Sequence, residues 1–178
     1  MRTHLIAIAL AAPTITSADD AKTIGVDGGL ALPTGTWGDG AGVGLGALAR
    51  FEMPLVPKLD LTARAGVVYH MSKDGGANGG SAQATEVPFL GGVRYAFSDN
   101  RASSFYLAAE MGLVVSLVSV DFQGMSMSDS KTNFGMTLGA GYRAGKLDLR
   151  GGLFLPDLGH AGDAVGLMAT VGYDVASL

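Results

Sequence analysis

Residues Thr132 to Arg143 read "TNFGMTLGAGYR". The even positions are Phe134, Met136, Leu138, Ala140 and Tyr142; the odd ones are Asn133, Gly135, Thr137, Gly139, Gly141 and Arg143. Strict alternation with a period of two marks a β-strand with one apolar and one polar face. Two environments suit such a strand. A soluble protein turns the Phe/Met/Leu face into its core. A transmembrane barrel turns that face to lipid and lines its lumen with the glycines and the arginine.

Composition favours the second environment. Charged residues make up 16% of the 178-residue chain and mean hydropathy is +0.32. Soluble domains average about 25% charged residues. There are 28 glycines and no cysteine, so disulfides and thiolate metal sites are excluded. A net charge of −4 argues against a nucleic-acid partner. No apolar run after the N-terminus is long enough for a membrane helix. In lipid only helices and closed barrels satisfy their own backbone, so a membrane-compatible chain without such a helix reads as a β-barrel.

The first residues, "MRTHLIAIALAAPTITSADD", have the layout of a secretory signal. Arg2 supplies the basic region, Leu5 to Ala12 the apolar segment, and Thr16-Ser17-Ala18 a small-residue cleavage site. Residues 1–18 are therefore read as signal peptide and 19–178 as a single barrel domain.

Alternation recurs along the rest of the chain. It predicts strands near 23–33, 42–54, 58–71, 85–98, 103–120, 132–144, 146–156 and 164–176. Eight is a usual number for the smallest bacterial barrels. The connections "LVPK", "SDNRA" and "AGK" are short. Those at "TGTWGDGAG", "SKDGGANGGSAQAT", "QGMSMSDSK" and "DLGHAGD" are mostly longer and rich in glycine or polar residues. Short turns at one end and longer loops at the other suit an all-β, eight-stranded antiparallel up-and-down transmembrane barrel with periplasmic turns.

Parity assigns the faces. Five of the seven arginines (Arg50, Arg64, Arg94, Arg143 and Arg150) fall opposite the apolar face, while all five lysines fall in turns, loops or strand ends. Planar, weakly hydrated guanidinium suits buried ion pairing better than ammonium does. The arginine face also carries Asp27, Glu52, Asp60, Glu86, Glu110, Asp148 and Asp174. The expected lumen network comprises Arg50, Glu52, Asp60, Arg64, Glu86, Arg94, Glu110, Arg143, Asp148 and Arg150. Glu110, near the middle of its strand, should have a guanidinium within reach, with Arg94 favoured because its strand is adjacent. On the opposite face the aromatics gather at strand ends: Phe51, Tyr95, Phe97, Phe105, Tyr142 and Tyr173 toward the short turns, Tyr69, Phe89 and Phe134 toward the long loops. Two such girdles match the two lipid interfaces.

With signal peptide, eight alternating strands, unequal loops and a charged lumen, the chain resembles the small bacterial outer-membrane β-barrels of the outer-membrane protein A transmembrane-domain, X or opacity type. The resemblance covers residues 23–178 in pattern. It implies a monomer in the outer membrane of a Gram-negative bacterium, surrounded by outer-membrane lipid and inserted by the barrel-assembly machinery. It departs from the type at its end, "GYDVASL", where such chains commonly finish on an aromatic residue.

Motifs for chemistry are sparse. "YHMS" places His70 and Ser72 on one strand face and resembles the His-x-Ser element of outer-membrane lipid A deacylases. In those enzymes the pair faces lipid, whereas parity puts His70 with Arg64 and Asp60, and a serine without a placed base is not activated. "DGGANGGS" (Asp74 to Ser81) lacks the lysine and helix of a phosphate loop and the repeated acids of a calcium site. Gly42, Gly44 and Gly46 open a strand, not the helix of a dinucleotide site, and are expected to face a lumen crowded by Arg50. Met125, Met127 and His160 have no partner cluster, so no metal and no cofactor are expected.

An eight-stranded interior is just wide enough for side chains to fill. The expected function is a non-enzymatic envelope protein with a plugged, charged lumen, serving membrane integrity or surface interaction, with an extracellular ligand held by the loops. Two alternatives remain: a lipid-modifying enzyme using His70 and Ser72, and a soluble lipocalin-like binder with the apolar face inside.

Overall fold

The structure is a computed structural model that describes residues 21–74, 80–122 and 125–178. The expected signal peptide lies outside the described residues, as do the middle of the "DGGANGGS" stretch and residues 123–124. Eight antiparallel strands close a barrel in chain order. They are β1 (Thr23–Thr34), β2 (Gly44–Val56), β3 (Leu59–Asp74), β4 (Gly80–Ala96), β5 (Ser103–Phe122), β6 (Met125–Ala144), β7 (Leu147–Leu155) and β8 (Val165–Ser177). Closure comes from β1 pairing with β8 along its whole length, Thr23 opposite Ser177 and Thr34 opposite Val165. One short helix, α1 (Gly35–Gly40), follows β1, and one 3-10 turn (Leu158–His160) follows β7.

The short connections are tight turns. Lys58 and Gly145 take left-handed backbone conformations (φ 68° and 62°), as tight hairpins between twisted strands demand. At the other end the strands run further than alternation suggested. β3 continues to Asp74, β4 begins at Gly80, β5 reaches Phe122 and β6 begins at Met125. Much of the expected "SKDGGANGGSAQAT" and "QGMSMSDSK" loops is thus paired strand, with Leu117 opposite Ser130 and Val120 opposite Met127. Lys131, expected at a loop or strand end, lies within β6. The physical reason is that hairpin pairing above the lipid needs no apolar face, so the hydrophobic signal stops before the ladder does.

The apolar face points outward. Leu138 is 41% exposed, whereas neighbouring Thr137 is 3% exposed. Ile24, Leu45, Leu61, Leu107, Met111 and Val171 are exposed in the same way. Arg50, Arg64, Arg94, Glu110 and Arg143 are buried inside. This overturns the lipocalin-like alternative, which needs the apolar face within. A continuous exposed apolar belt of this extent belongs in lipid. Of the aromatics, Tyr69, Phe89, Tyr95, Phe97, Phe105, Phe134 and Tyr173 are exposed on that face, and Phe51 and Tyr142 are half-buried. Near the short turns Tyr95 meets Phe97 edge-on at 5.7 Å and Phe105 meets Tyr142 at 4.7 Å.

Curling eight strands this tightly needs glycine on the inner face. At Gly92 an added Cβ would collide with the Ala109 carbonyl of β5. At Gly141 it would strike the Tyr106 ring and the Leu149 carbonyl. Gly141→Ala should therefore push Tyr106 aside and destabilise the barrel by about 1–3 kcal/mol, the usual cost of overpacking. The urea midpoint of the barrel refolded in lipid vesicles measures this; an unchanged midpoint would contradict it.

Candidate functional site

Side chains enter the lumen in two layers. Toward the short turns lies a network of five guanidiniums and six carboxylates. Arg50 sits at its centre. Its Nε is 3.1 Å from Asp27, its Nη1 2.9 Å from Glu52 and 3.3 Å from Asp148, and its Nη2 2.8 Å from Asp174. Arg94 reaches Glu52 at 2.7 Å, Asp60 at 3.0 Å and Asp148 at 3.4 Å. Arg143 holds the other Glu52 oxygen at 2.7 Å. Tyr106 lies against this cluster, donating to Asp148 at 2.5 Å with the Arg94 guanidinium 4.9 Å above its ring. Alternation on β5 already put Tyr106 on the Glu110 face, so parity was the signal that could have found it.

Higher in the lumen Glu110 accepts from Arg150 at 2.9 Å, Thr62 at 3.0 Å and Thr137 at 2.8 Å, and Arg64 lies 3.6 Å away. Arg64 also holds Asp27 at 2.9 Å, which joins the two halves of the network. Arg94 is not the partner of Glu110. On β4 the residue opposite Glu110 is Gly92, and Arg94 stands opposite Ala108 and Asp60, nearer the short turns. From there its side chain meets Glu52 and Asp60, while Glu110 is reached across the narrow lumen from β7 and β3. Full pairing suits charges so deeply buried, since an unpartnered one is costly. At the short-turn end the network opens onto a cavity of about 430 Å³ lined by Glu52, Asp60, Arg143 and Asp174, among others.

Above the charges lies an apolar layer formed by Ala31, Leu48, Val68, Leu90, Val114, Phe154 and Met168. Trp37, carried by α1, packs onto it. Its ring meets Phe154 of β7 at 6.1 Å and His70 of β3 at 5.0 Å, both edge-on, so it spans the barrel mouth. Gly166 leaves room for the indole: a Cβ there would stand 2.7 Å from Trp37 Cζ3. Nothing in the periodic pattern flagged Trp37, because it lies in a connection. Gly44 and Gly46 are crowded by His70 and Val68, not by Arg50; the glycines beside Arg50 are Gly25 and Gly172.

Glu86 does not join the ion-pair network, contrary to expectation. It is buried, and Ser116 donates to it at 2.5 Å. It lies opposite Val68, level with the apolar layer and out of reach of the arginines below. His70 and Ser72 do not form a catalytic pair among the described residues. The His70 ring is wholly buried with Nδ1 3.0 Å from the Gly42 carbonyl, while Ser72 is exposed at the rim. In the connection after β7, Asp157 accepts from Lys131 at 3.3 Å, Gly159 N–H at 2.9 Å and His160 at 3.0 Å. Slight desolvation works against it, but the hydrogen bonds from His160, Lys131 and Gly159 hold the Asp157 carboxyl below its ordinary value.

The wall is uneven in height. β5 and β6 pair with each other out to Phe122 and Met125, but β7 pairs with β6 only from Met136 onward. Residues 125–135 of β6 thus form an edge with no neighbouring strand among the described residues. Met127 (77% exposed), Leu117, Val118 and Val120 are exposed on this projecting sheet.

No protein-family model matches the chain, and no curated protein matches its sequence. Among solved structures the chain is similar to Ail, the attachment invasion locus protein of Yersinia pestis. The TM-score is 0.59 at 12% identity, over 87% of this chain and 97% of that one. A second Ail structure, in complex with the heparin analogue sucrose octasulfate, matches with a TM-score of 0.56 at 12% identity, over 87% of this chain and 95% of that one. Neisserial surface protein A matches at 16% identity with a TM-score of 0.46, over 85% of this chain and 96% of that one. Ring closure, the outward apolar face and the likeness to Ail agree: the chain has the fold of a small eight-stranded outer-membrane β-barrel.

Proposed function

We propose that the protein is a non-enzymatic outer-membrane barrel, closed to solutes, that engages an extracellular partner through the projecting β5–β6 sheet. The observation that carries this reading is the edge of β6 over residues 125–135, which has no neighbouring strand among the described residues and is flanked near Gly135 by Leu155 and Pro156. An unpaired edge presents a row of backbone donors and acceptors, a template onto which an extended segment of a partner adds as a further strand. The short turns then face the periplasm and the long hairpins the exterior. Binding of the heparin analogue is not carried over from Ail. The described outer segments hold Asp39, Asp129, Asp157 and Asp163 against Lys73 and Lys131, a balance that does not favour a polyanion.

Shortening the hairpin tests the reading. Replacing residues 118–129 by Asn-Gly joins Leu117 to Ser130, which already face each other, so the barrel below is undisturbed. A non-adherent host strain displaying the full protein should attach to cultured epithelial cells, and the shortened variant should not. Equal attachment by both would refute the role of the edge. The closed lumen has its own measurement. Two filled layers leave no path, so planar-bilayer recordings should show no large stable conductance, and a steady open level would refute it.

A further inference from the structure

Glu86 is the lumen carboxylate that the ion-pair network leaves out. It is 3% exposed, its Oε2 accepts from Ser116, and among the described residues no cation pairs with it. The two nearest lysines at this end are engaged elsewhere: Lys131 with Asp157 at 3.3 Å and Lys73 with the Gly38 carbonyl. A buried carboxylate without a counter-ion is costly.

His70 supplies a second unmet demand nearby. A carbonyl can only accept, so the Nδ1 facing the Gly42 carbonyl carries the proton and Nε2 of the neutral ring is an acceptor. That Nε2 is buried and, among the described residues, without a hydrogen-bond partner. The Nδ1–Cε1 edge of the ring lies against Gly44 of β2. In register His70 faces Ala84 and Val68 faces Glu86, so His70 and Glu86 are diagonal neighbours on adjacent strands. Such neighbours stand about 7–8 Å apart at the backbone. The Trp37 ring, 5.0 Å from His70, adds an aromatic wall.

We infer that the long-loop mouth holds a recognition site for a primary ammonium or guanidinium group, with Glu86 as counter-ion and His70 Nε2 as second acceptor. A carboxylate without a counter-ion and an imidazole acceptor beside an aromatic ring complement a cation bearing N–H donors. They repel an anion. A metal ion is the poorer fit, since no three His, Cys, Asp or Glu side chains converge among the described residues. Across β4, β5 and β6 the row Glu86, Ser116, Lys131 passes from buried to half-buried to exposed, so the carboxylate lies two strands from solvent. The acidic rim described above draws cations toward it. The site stands independently of the β6 edge.

Trp37 is the single tryptophan of the chain, so its fluorescence reports on this mouth. The refolded protein is titrated with agmatine, with an end-capped peptide carrying one arginine, and with butyrate. Both cations should give a saturable spectral change and butyrate none. Glu86→Gln should weaken the affinity about tenfold or more, as expected for a lost charged hydrogen bond, while Glu86→Asp retains most of it. A peptide bound more tightly than agmatine assigns a protein side chain as the natural occupant; the reverse order assigns a free amine. Lys131→Gln, an exposed change that removes a like charge from the row leading to Glu86, should bind at least as tightly as the parent. No saturable change, an unchanged affinity in Glu86→Gln, or weaker binding in Lys131→Gln would each overturn the site.

Discussion

Glu110→Ala should lower barrel stability by about 3–5 kcal/mol, because it leaves a buried guanidinium without its carboxylate. The stranded partner is Arg150. Arg64 keeps Asp27 at 2.9 Å, but among the described residues Arg150 is held by Glu110 and the Thr137 hydroxyl alone. Removing Arg150 as well should restore part of the loss, since no unpaired cation then remains. Asp129→Ala, on the exposed part of β6, should stay within about 0.5 kcal/mol of the parent. Equilibrium unfolding in urea from lipid vesicles measures all three. Additive losses in the Glu110→Ala/Arg150→Ala double variant would show that the two side chains act separately and would sink the argument.

The second large effect lies on the other face. Leu138→Arg puts a cation on the lipid side of β6, flanked by Ala109 of β5 and Leu153 of β7. Near the midplane this costs about 2–4 kcal/mol and should impair insertion. Thr137→Ser, one residue away, keeps the hydroxyl that donates to Glu110 at 2.8 Å and should change little. The heat-dependent shift in gel mobility typical of folded barrels provides the comparison. If Leu138→Arg folds like the parent while Thr137→Ser does not, the inner and outer faces have been exchanged.

These predictions draw on information of different origin. That Leu138 faces out and Thr137 in follows from alternation alone, because successive side chains of a strand must take opposite faces. The tight turns could likewise be placed from the residues, since the strands on either side end in apolar alternation and each turn holds proline, glycine or polar residues. The identity of Glu110's partner could not. Adjacency along the chain pointed to Arg94, yet register and strand tilt place Arg94 beside Asp60 and bring Arg150 across the lumen instead. Glu86 shows the same limit: its parity matched the arginines, but its height did not.

The sequence by itself determined the strands, their number and order, and which side chains enter the lumen, because these depend on a two-residue period carried within each segment. Only the tertiary structure decided who meets whom inside. Closing the ring fixes the stagger of each strand against the next, and that stagger sets the height at which every lumen side chain sits. It also allowed what lacks any period to matter: Trp37, from a connection, crosses the mouth onto Phe154 and His70. Beyond the lipid, β5 and β6 continue as a ladder of backbone hydrogen bonds that requires no hydrophobic pattern, so the free edge of β6 became visible only once β7 was seen to stop short of it.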